Sequence, residues 1–336
     1  MADEKTVPEL IANKIKKYNS KLLFQRRDGW SWKQITWLDF ERDVKSVASF
    51  LIDLGFRPGD ASLVVSSNRI ESISTEIAVW SIGGVTIPLP EDETLENIVE
   101  IANQFKVKFI FAGKESTLDE IQEIYRELRC LERIVCFADV NGTVKIDKII
   151  PFRAVLKLGS IKRRQLEDEL SKISRNVSPD CLATIFNSFS SNGNQNSDEV
   201  TQGGLIQLLR STSDKLSFIG EEDQSFSYLH SASPFDKLIN HIGIFNGTQI
   251  VIAETQEDFY VDILEVMPTV LFETRIGLES ICSRILSEKL KSDLGSRIKY
   301  VVTDSSPGEG IKSLFLKSGV SLIEVPELNR LVEQPK

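Results

Sequence analysis

Histidine is scarce in this chain: there are two, His230 and His241, in 336 residues, and neither has a cysteine cluster nearby. That excludes the mixed histidine–cysteine spacings of zinc sites. Cysteine is scarce too, with Cys130, Cys136, Cys181 and Cys282 scattered and never paired as C-x-x-C. Read as free thiols, they point to a reducing compartment, and a cytoplasmic location is expected. No apolar run approaches the roughly 20 residues that span a bilayer. The start, Met1-Ala2-Asp3-Glu4-Lys5, lacks the charged-then-apolar order of a secretory signal. Positive charge is in deficit, 40 Lys and Arg against 49 Asp and Glu, for a net charge of −9. Non-specific nucleic-acid binding needs a basic surface and is excluded on that ground. The one dense basic run is Lys162-Arg163-Arg164, followed by Glu167, Asp168 and Glu169. A solvated helix with compensating charges is the plainer reading, and contact with an anionic membrane is the alternative.

What is present is an ordinary globular composition, 41% hydrophobic and 26% charged. The length suffices for one large domain or two lobes with real cores. Apolar residues recur at helical spacing over 38–54, 70–82, 95–105 and 118–128. Short apolar runs at 61–65, 85–87, 107–111 and 133–137 alternate with them. This rhythm predicts βαβ units and a mainly parallel sheet. Residues 138–180 are more polar, carry an Asn141-Gly142 turn and a charged helix over 162–175, and read as a connection. Strands are then expected at 182–186, 224–228, 249–253, 270–272, 298–302 and 321–324. The expected architecture is α/β: a first lobe with its connector over 1–180 and a second over 181–336, each a mostly parallel sheet flanked by helices.

Residues 187–197 read N-S-F-S-S-N-G-N-Q-N-S and follow the apolar run Leu182-Ala183-Thr184-Ile185-Phe186. A small-polar segment after a buried strand is where folds of this class place phosphates. Phosphate loops need glycines for close backbone approach and a lysine to counter the polyanion. Here Gly193 stands alone, no lysine or arginine is present, and Asp198 and Glu199 follow. The composition predicts an irregular polar loop. Ser188, Ser190 and Ser191 cluster there, but no histidine–acid partner can be placed for a nucleophile. His241 lies among Leu238, Ile239, Ile242 and Ile244 and reads as a packing histidine, with a ligand as the alternative; Glu273 and Arg275 read as a surface ion pair, with a pocket pair as the alternative.

The whole chain resembles the N-terminal part of the adenylate-forming (AMP-binding) superfamily, its long-chain acyl-CoA synthetases above all. That family reads approximately D-x-L-A-T-I-x-Y-T-S-G-T-T-G-x-P-K-G-V-x-L-T-H-x-N-L at this point. The chain fits without a gap from Asp180 through Leu182-Ala183-Thr184-Ile185 and Gly193 to Thr201 and Leu205. The centre is rewritten: Asn187 stands for tyrosine, Phe189 for serine, Ser190 for the first loop glycine, Asn196 for the lysine and Ser197 for the glycine after it. Weaker likenesses continue in order at Trp32-Lys33-Gln34-Ile35-Thr36-Trp37, Gly55-Phe56-Arg57-Pro58-Gly59-Asp60 and Ile82-Gly83-Gly84-Val85. They run on through Phe235-Asp236-Lys237, Asn246-Gly247-Thr248, Pro268-Thr269-Val270-Leu271-Phe272 and Gly319-Val320-Ser321-Leu322-Ile323-Glu324. Ser233 sits where the family has histidine. Asn329 and Arg330 stand for the threonine and glutamate that the family uses for adenylate phosphate and magnesium.

The resemblance implies the fold of the N-terminal domain of acyl-CoA synthetases, without the mobile C-terminal lid that the family carries beyond it. Ser188, Ser190, Ser191, Asn192, Gly193, Asn196 and Thr201 are the expected degenerate AMP-binding loop. Tyr228, Ser233, Phe235 and Phe272 are the candidate acyl pocket. No catalytic residue, metal or cofactor is expected. The function so implied is a non-catalytic, acyl-CoA-synthetase-like protein acting through an acyl ligand or a protein partner, self-association included. The sheet edge near 320–324 would be one docking place. The alternative is an ATP- and Mg²⁺-dependent carboxylic-acid–CoA ligase or acyl-AMP ligase completed by a separate chain.

Overall fold

Strands that are buried on both faces are near-continuous apolar runs, and this chain has several. Ala61–Val65 and Val85–Leu89 are buried at every position. The computed structural model describes residues 4–140, 146–189, 195–227, 234–253, 256–284 and 289–326. In chain order it begins with α1 (Val7–Tyr18), the hairpin strands β1 (Leu22–Asp28) and β2 (Ser31–Thr36), α2 (Trp37–Asp53), β3 (Ala61–Val65), α3 (Ile70–Ser81) and β4 (Val85–Leu89). It continues with α4 (Leu95–Gln104), β5 (Phe109–Ala112), α5 (Glu115–Ile124), β6 (Arg133–Cys136), β7 (Ile149–Pro151), α6 (Phe152–Arg163) and α7 (Glu167–Arg175). Then come β8 (Leu182–Phe189), β9 (Gln195–Thr201), α8 (Gln202–Lys215), β10 (Gln224–Ser227), α9 (Pro234–Asn246), β11 (Gln249–Ile252) and α10 (Gln256–Val266). The last are β12 (Val270–Glu273), α11 (Arg275–Arg284), α12 (Leu290–Asp293), β13 (Tyr300–Thr303), α13 (Glu309–Ser318) and β14 (Ser321–Glu324).

The chain forms two compact units, one of Met1–Asn19 with Leu38–Gln207, the other of Ser20–Trp37 with Leu208–Lys336. The first unit holds a sheet in the order β7-β6-β5-β3-β4-β8-β9. All its pairs are parallel except β8 with β9. Its two faces are built by period-two alternation. Ile110 and Ala112 point into an aliphatic core with Leu63, Ile87, Ile101, Ile121 and Ile134. Phe109 and Phe111 stack on the other side, in a row that runs from Phe56 through Phe137 to Phe152. Each buried side chain of this size contributes about 1.5–3 kcal/mol relative to exposure. On one flank α6 lies against α2 at a glycine: a Cβ on Gly159 would sit 1.9 Å from the carbonyl oxygen of Ser46.

The second unit repeats the plan, in the order β14-β13-β12-β10-β11-β1-β2. Again every pair is parallel except the terminal hairpin, β1 with β2. Its core gathers Phe226, Val251, Phe259, Leu271, Leu278, Leu294, Val301 and Phe315. No helix among the described residues is long and apolar enough to cross a membrane.

The α/β class and the parallel sheets are as expected; three details differ. The boundary at 180/181 is not where the units divide, because β8 and β9 complete the first sheet and residues 20–37 complete the second. The charged helix over 162–175 is two helices. Lys162 and Arg163 close α6, while Glu167, Asp168 and Glu169 open α7. Cations at a C-terminus and anions at an N-terminus each suit the helix dipole, so the change of sign favours a break there. The third is the loop at 187–197.

Candidate functional site

β8 and β9 form an antiparallel ladder that reaches well past the expected end of the strand. Asn187 opposes Ser197, Ser188 opposes Asn196 and Phe189 opposes Gln195. The described residues of the irregular loop expected over 187–197, namely 187–189 and 195–197, are therefore strand. Cross-strand pairing of backbone groups does not depend on apolar side chains, and a Ser/Asn-rich segment satisfies it as well as any. Ser190, Ser191, Asn192 and Gly193 lie outside the described residues, as do the side chains of Ser188 and Asn196.

The two rewritten positions 187 and 197 meet. The Ser197 hydroxyl donates to Asn187 Oδ1 at 2.6 Å. Glycine, which the family pattern has at 197, could not make this bond. Next to it, Asp198 is partly buried, and its Oδ2 has no hydrogen-bond partner. Burial pushes its carboxyl pKa above the ordinary range. The hairpin thus carries an under-solvated carboxylate, and no lysine or arginine occurs between residues 182 and 201.

Thr201 has a structural task. Its Oγ1 accepts from Gly204 N at 3.1 Å and caps α8. The adjoining Gln202 is fully buried. Its Oε1 accepts from Val7 N at 3.1 Å, and its Nε2 donates to the Trp80 carbonyl at 3.1 Å, so it ties the base of the hairpin to α1 and α3. β8 is held to β4 by Thr184 Oγ1, which donates to Thr86 O at 3.0 Å, and Trp80 Nε1 donates to Thr86 Oγ1 at 2.9 Å.

The candidate acyl residues fall in the second unit. Phe235 on α9 is 0% exposed and Phe272 on β12 is 2% exposed, so both are interior side chains. Tyr228 and Ser233 lie outside the described residues, as do His230, Asn329 and Arg330. The expected surface ion pair of Glu273 and Arg275 is not formed. Arg275 pairs with Glu279 at 2.8 Å, one helical turn on. Glu273 is buried, and its Oε1 accepts from Thr274 N at 2.9 Å. Alongside, Asp304 Oδ1 accepts from Arg275 N at 2.7 Å, at the start of α11. Two carboxylates thus sit at the C-terminal ends of neighbouring parallel strands, the edge where open sheets take ligands. The sequence signals neither, because the placement of an acid at a strand end is set by tertiary packing. His241 is a packing histidine: it is buried, with Nδ1 2.9 Å from the Lys237 carbonyl.

Two units of this construction, each a six-strand parallel sheet closed by an antiparallel strand, define the fold of the N-terminal portion of adenylate-forming enzymes. The long-chain-fatty-acid-CoA ligase FadD1 of Archaeoglobus fulgidus matches it with a TM-score of 0.75 at 14% identity, over 97% of this chain and 64% of that one. The chain belongs to the AMP-binding enzyme family, whose model matches residues 13–313. Long-chain-fatty-acid–CoA ligase FadD15 of Mycobacterium bovis is 22% identical over 189 residues, which is 56% of this chain and 30% of that protein. Long-chain-fatty-acid–CoA ligase 1 of Cavia porcellus is 20% identical over 355 residues, 90% of this chain and 50% of its own length. The chain thus spans at most about half the length of these two relatives.

Proposed function

We propose that this chain is a non-catalytic member of the AMP-binding enzyme family that acts by binding an acyl ligand or a protein partner. The observation that carries the reading is the hairpin. Between residues 182 and 201 the charged side chains are Asp198 and Glu199 alone. The positions that read tyrosine and glycine in the family pattern are Asn187 and Ser197, bonded to each other.

The described residues of this hairpin do not fit a magnesium-bound triphosphate. Such a group needs positive charge and close glycine backbone, and charge-assisted contacts supply about 1.5–3 kcal/mol each. Here the charged side chains of the hairpin are carboxylates, and Asp198 Oδ2 lacks a hydrogen bond. Electrostatic stabilisation is usually the largest catalytic contribution, and the described residues of the hairpin offer no cation for it. Buried aromatic side chains at Phe235 and Phe272 keep apolar interior where the resemblance puts acyl contacts.

ATP–pyrophosphate exchange across short, long and aromatic acids tests the reading. Exchange at the level of a heat-killed control is expected. Robust exchange would overturn it in favour of a ligase. Native mass spectrometry with fatty acids and acyl-CoAs, and light scattering of the pure chain, then separate the acyl-ligand and self-association forms.

A further inference from the structure

In a chain of net charge −9, three arginines that form no ion pair among the described residues line one cavity. α1, α2 and α7 of the first unit line a cavity of about 680 Å³. This is within the ~300–1,000 Å³ of small-molecule sites. Its apolar lining includes Ile11, Val44, Ala48 and Leu170, all buried, with Ile15 and Leu38 towards the outside. Its charged lining is five basic side chains against three acidic ones, Glu9, Glu41 and Glu167.

The charges sort into used and unused. Lys45 is held by Glu41 at 2.6 Å and Arg42 by Asp39 at 3.0 Å. Glu9 accepts from the backbone N of Lys5 at 2.7 Å. The basic run Lys162-Arg163-Arg164 divides: Lys162 turns to Asp53 at 2.8 Å, while Arg163 and Arg164 line the cavity with Arg175. Among the described residues none of these three arginines forms an ion pair, although Glu167 lies in the same lining. A guanidinium presents a planar fork of donors that matches a carboxylate. A cavity that pairs such apolar lining with that fork suits a chain with one anionic end.

We propose that this cavity binds a single-chain anionic lipid, a long-chain carboxylate, with its head at Arg163, Arg164 and Arg175 and its chain against α1 and α2. The site is distinct from the candidate acyl residues Phe235 and Phe272, which belong to the other unit, and does not depend on whether the hairpin supports catalysis.

Equilibrium dialysis of the full chain with radiolabelled laurate tests it, with dodecan-1-ol as the uncharged probe. Two variants are used. Arg163→Gln/Arg164→Gln/Arg175→Gln removes the charge from side chains that form no ion pair among the described residues. Ala12→Trp fills the cavity from an exposed position on α1. The expected result is one laurate per chain. Dodecanol binding and laurate binding by the triple variant should each be weaker by about tenfold or more, the scale of one lost charge-assisted contact. The filled variant should lose binding. Absence of laurate binding overturns the proposal, as does binding that the triple variant leaves within about twofold. The triple variant's circular dichroism and melting curve, expected to match the parent, show that the loss is not unfolding. Should Ala12→Trp fail to fold, the arginine variant alone decides.

Discussion

Gln202→Met is the sharpest perturbation of the account that joins hairpin to fold. Methionine keeps the length and volume of the side chain and removes both polar ends. The site is fully buried, so water cannot replace them. Val7 N belongs to the first turn of α1, whose N-cap Thr6 makes no side-chain bond, and Gln202 Oε1 serves as its acceptor. Leaving that donor orphaned costs about 1–3 kcal/mol. The Trp80 carbonyl is less exposed to the change, because it also accepts from Gly83 N at 3.1 Å. Losing one of its bonds costs about 0.5–1.5 kcal/mol. Together the variant should lose ~2–4 kcal/mol, a large share of the ~5–15 kcal/mol that typically holds a domain. With a urea slope of ~1–3 kcal/mol per molar, the midpoint of the transition that reports the first unit falls by roughly 1 M or more. Hydrogen exchange at the Val7 amide should accelerate in the same variant. A loss below about 0.5 kcal/mol with Val7 exchange unchanged would refute the reasoning, since both groups would then have found other partners.

Gly159→Ala should destabilise by about 1–3 kcal/mol despite a helix-propensity gain of about 1 kcal/mol, because its Cβ would meet backbone of α2; an unchanged urea midpoint would show that α6 can move away. Asp198 has a folded-state pKa raised by burial, so its contribution to stability is present below about pH 4 and is lost as pH rises through the folded value. Asp198→Asn should therefore be more stable than the parent at pH 7 and lose that advantage below about pH 4; urea curves at the two pH values read this, and an advantage that does not change with pH would contradict it. Burial pushes the Cys282 thiol up to about 11, whereas Cys130 is exposed. Iodoacetamide at pH 8, followed by peptide mass mapping, should label Cys130 well before Cys282.

Much of the fold is legible in the sequence because parallel strands buried on both faces are continuous apolar runs. β3, β5 and β6 follow from Ala61-Ser62-Leu63-Val64-Val65, Phe109-Ile110-Phe111 and Ile134-Val135-Cys136 on that ground. What stays hidden is long-range. β1 and β2 carry Gln25, Arg26, Arg27, Lys33 and Gln34, too polar to announce a strand, and they belong to a sheet whose other strands begin some two hundred residues later. That excursion is why a boundary at 180/181 does not describe the units. Helix α1 did leave a signal: Val7, Leu10 and Ile11 share a face, Pro8 sits in the first turn and Lys16 and Lys17 in the last. The hairpin is hidden for a different reason. Serine and asparagine favour loops when isolated, but opposite one another on paired strands they bond across the ladder, as Asn187 and Ser197 do. The resemblance places Thr201 with the phosphate loop; its hydroxyl also caps a helix, a role that Gly203 and Gly204 after it do not advertise. The burial of Phe235 and Phe272 is what apolar patterning implies, whereas the corner at Glu273 and Asp304 depends on strands whose adjacency only the sheet order supplies.

The central claim is that the β8–β9 hairpin does not hold a nucleotide triphosphate. Equilibrium dialysis of the chain against radiolabelled ATP with excess Mg²⁺ measures it directly. A dissociation constant no tighter than about 1 mM is expected, because the hairpin sequence supplies no lysine or arginine to the phosphates and Asp198 opposes them. Binding in the micromolar range that is weakened by Ser197→Gly, the variant that breaks the Asn187 bond, would contradict it.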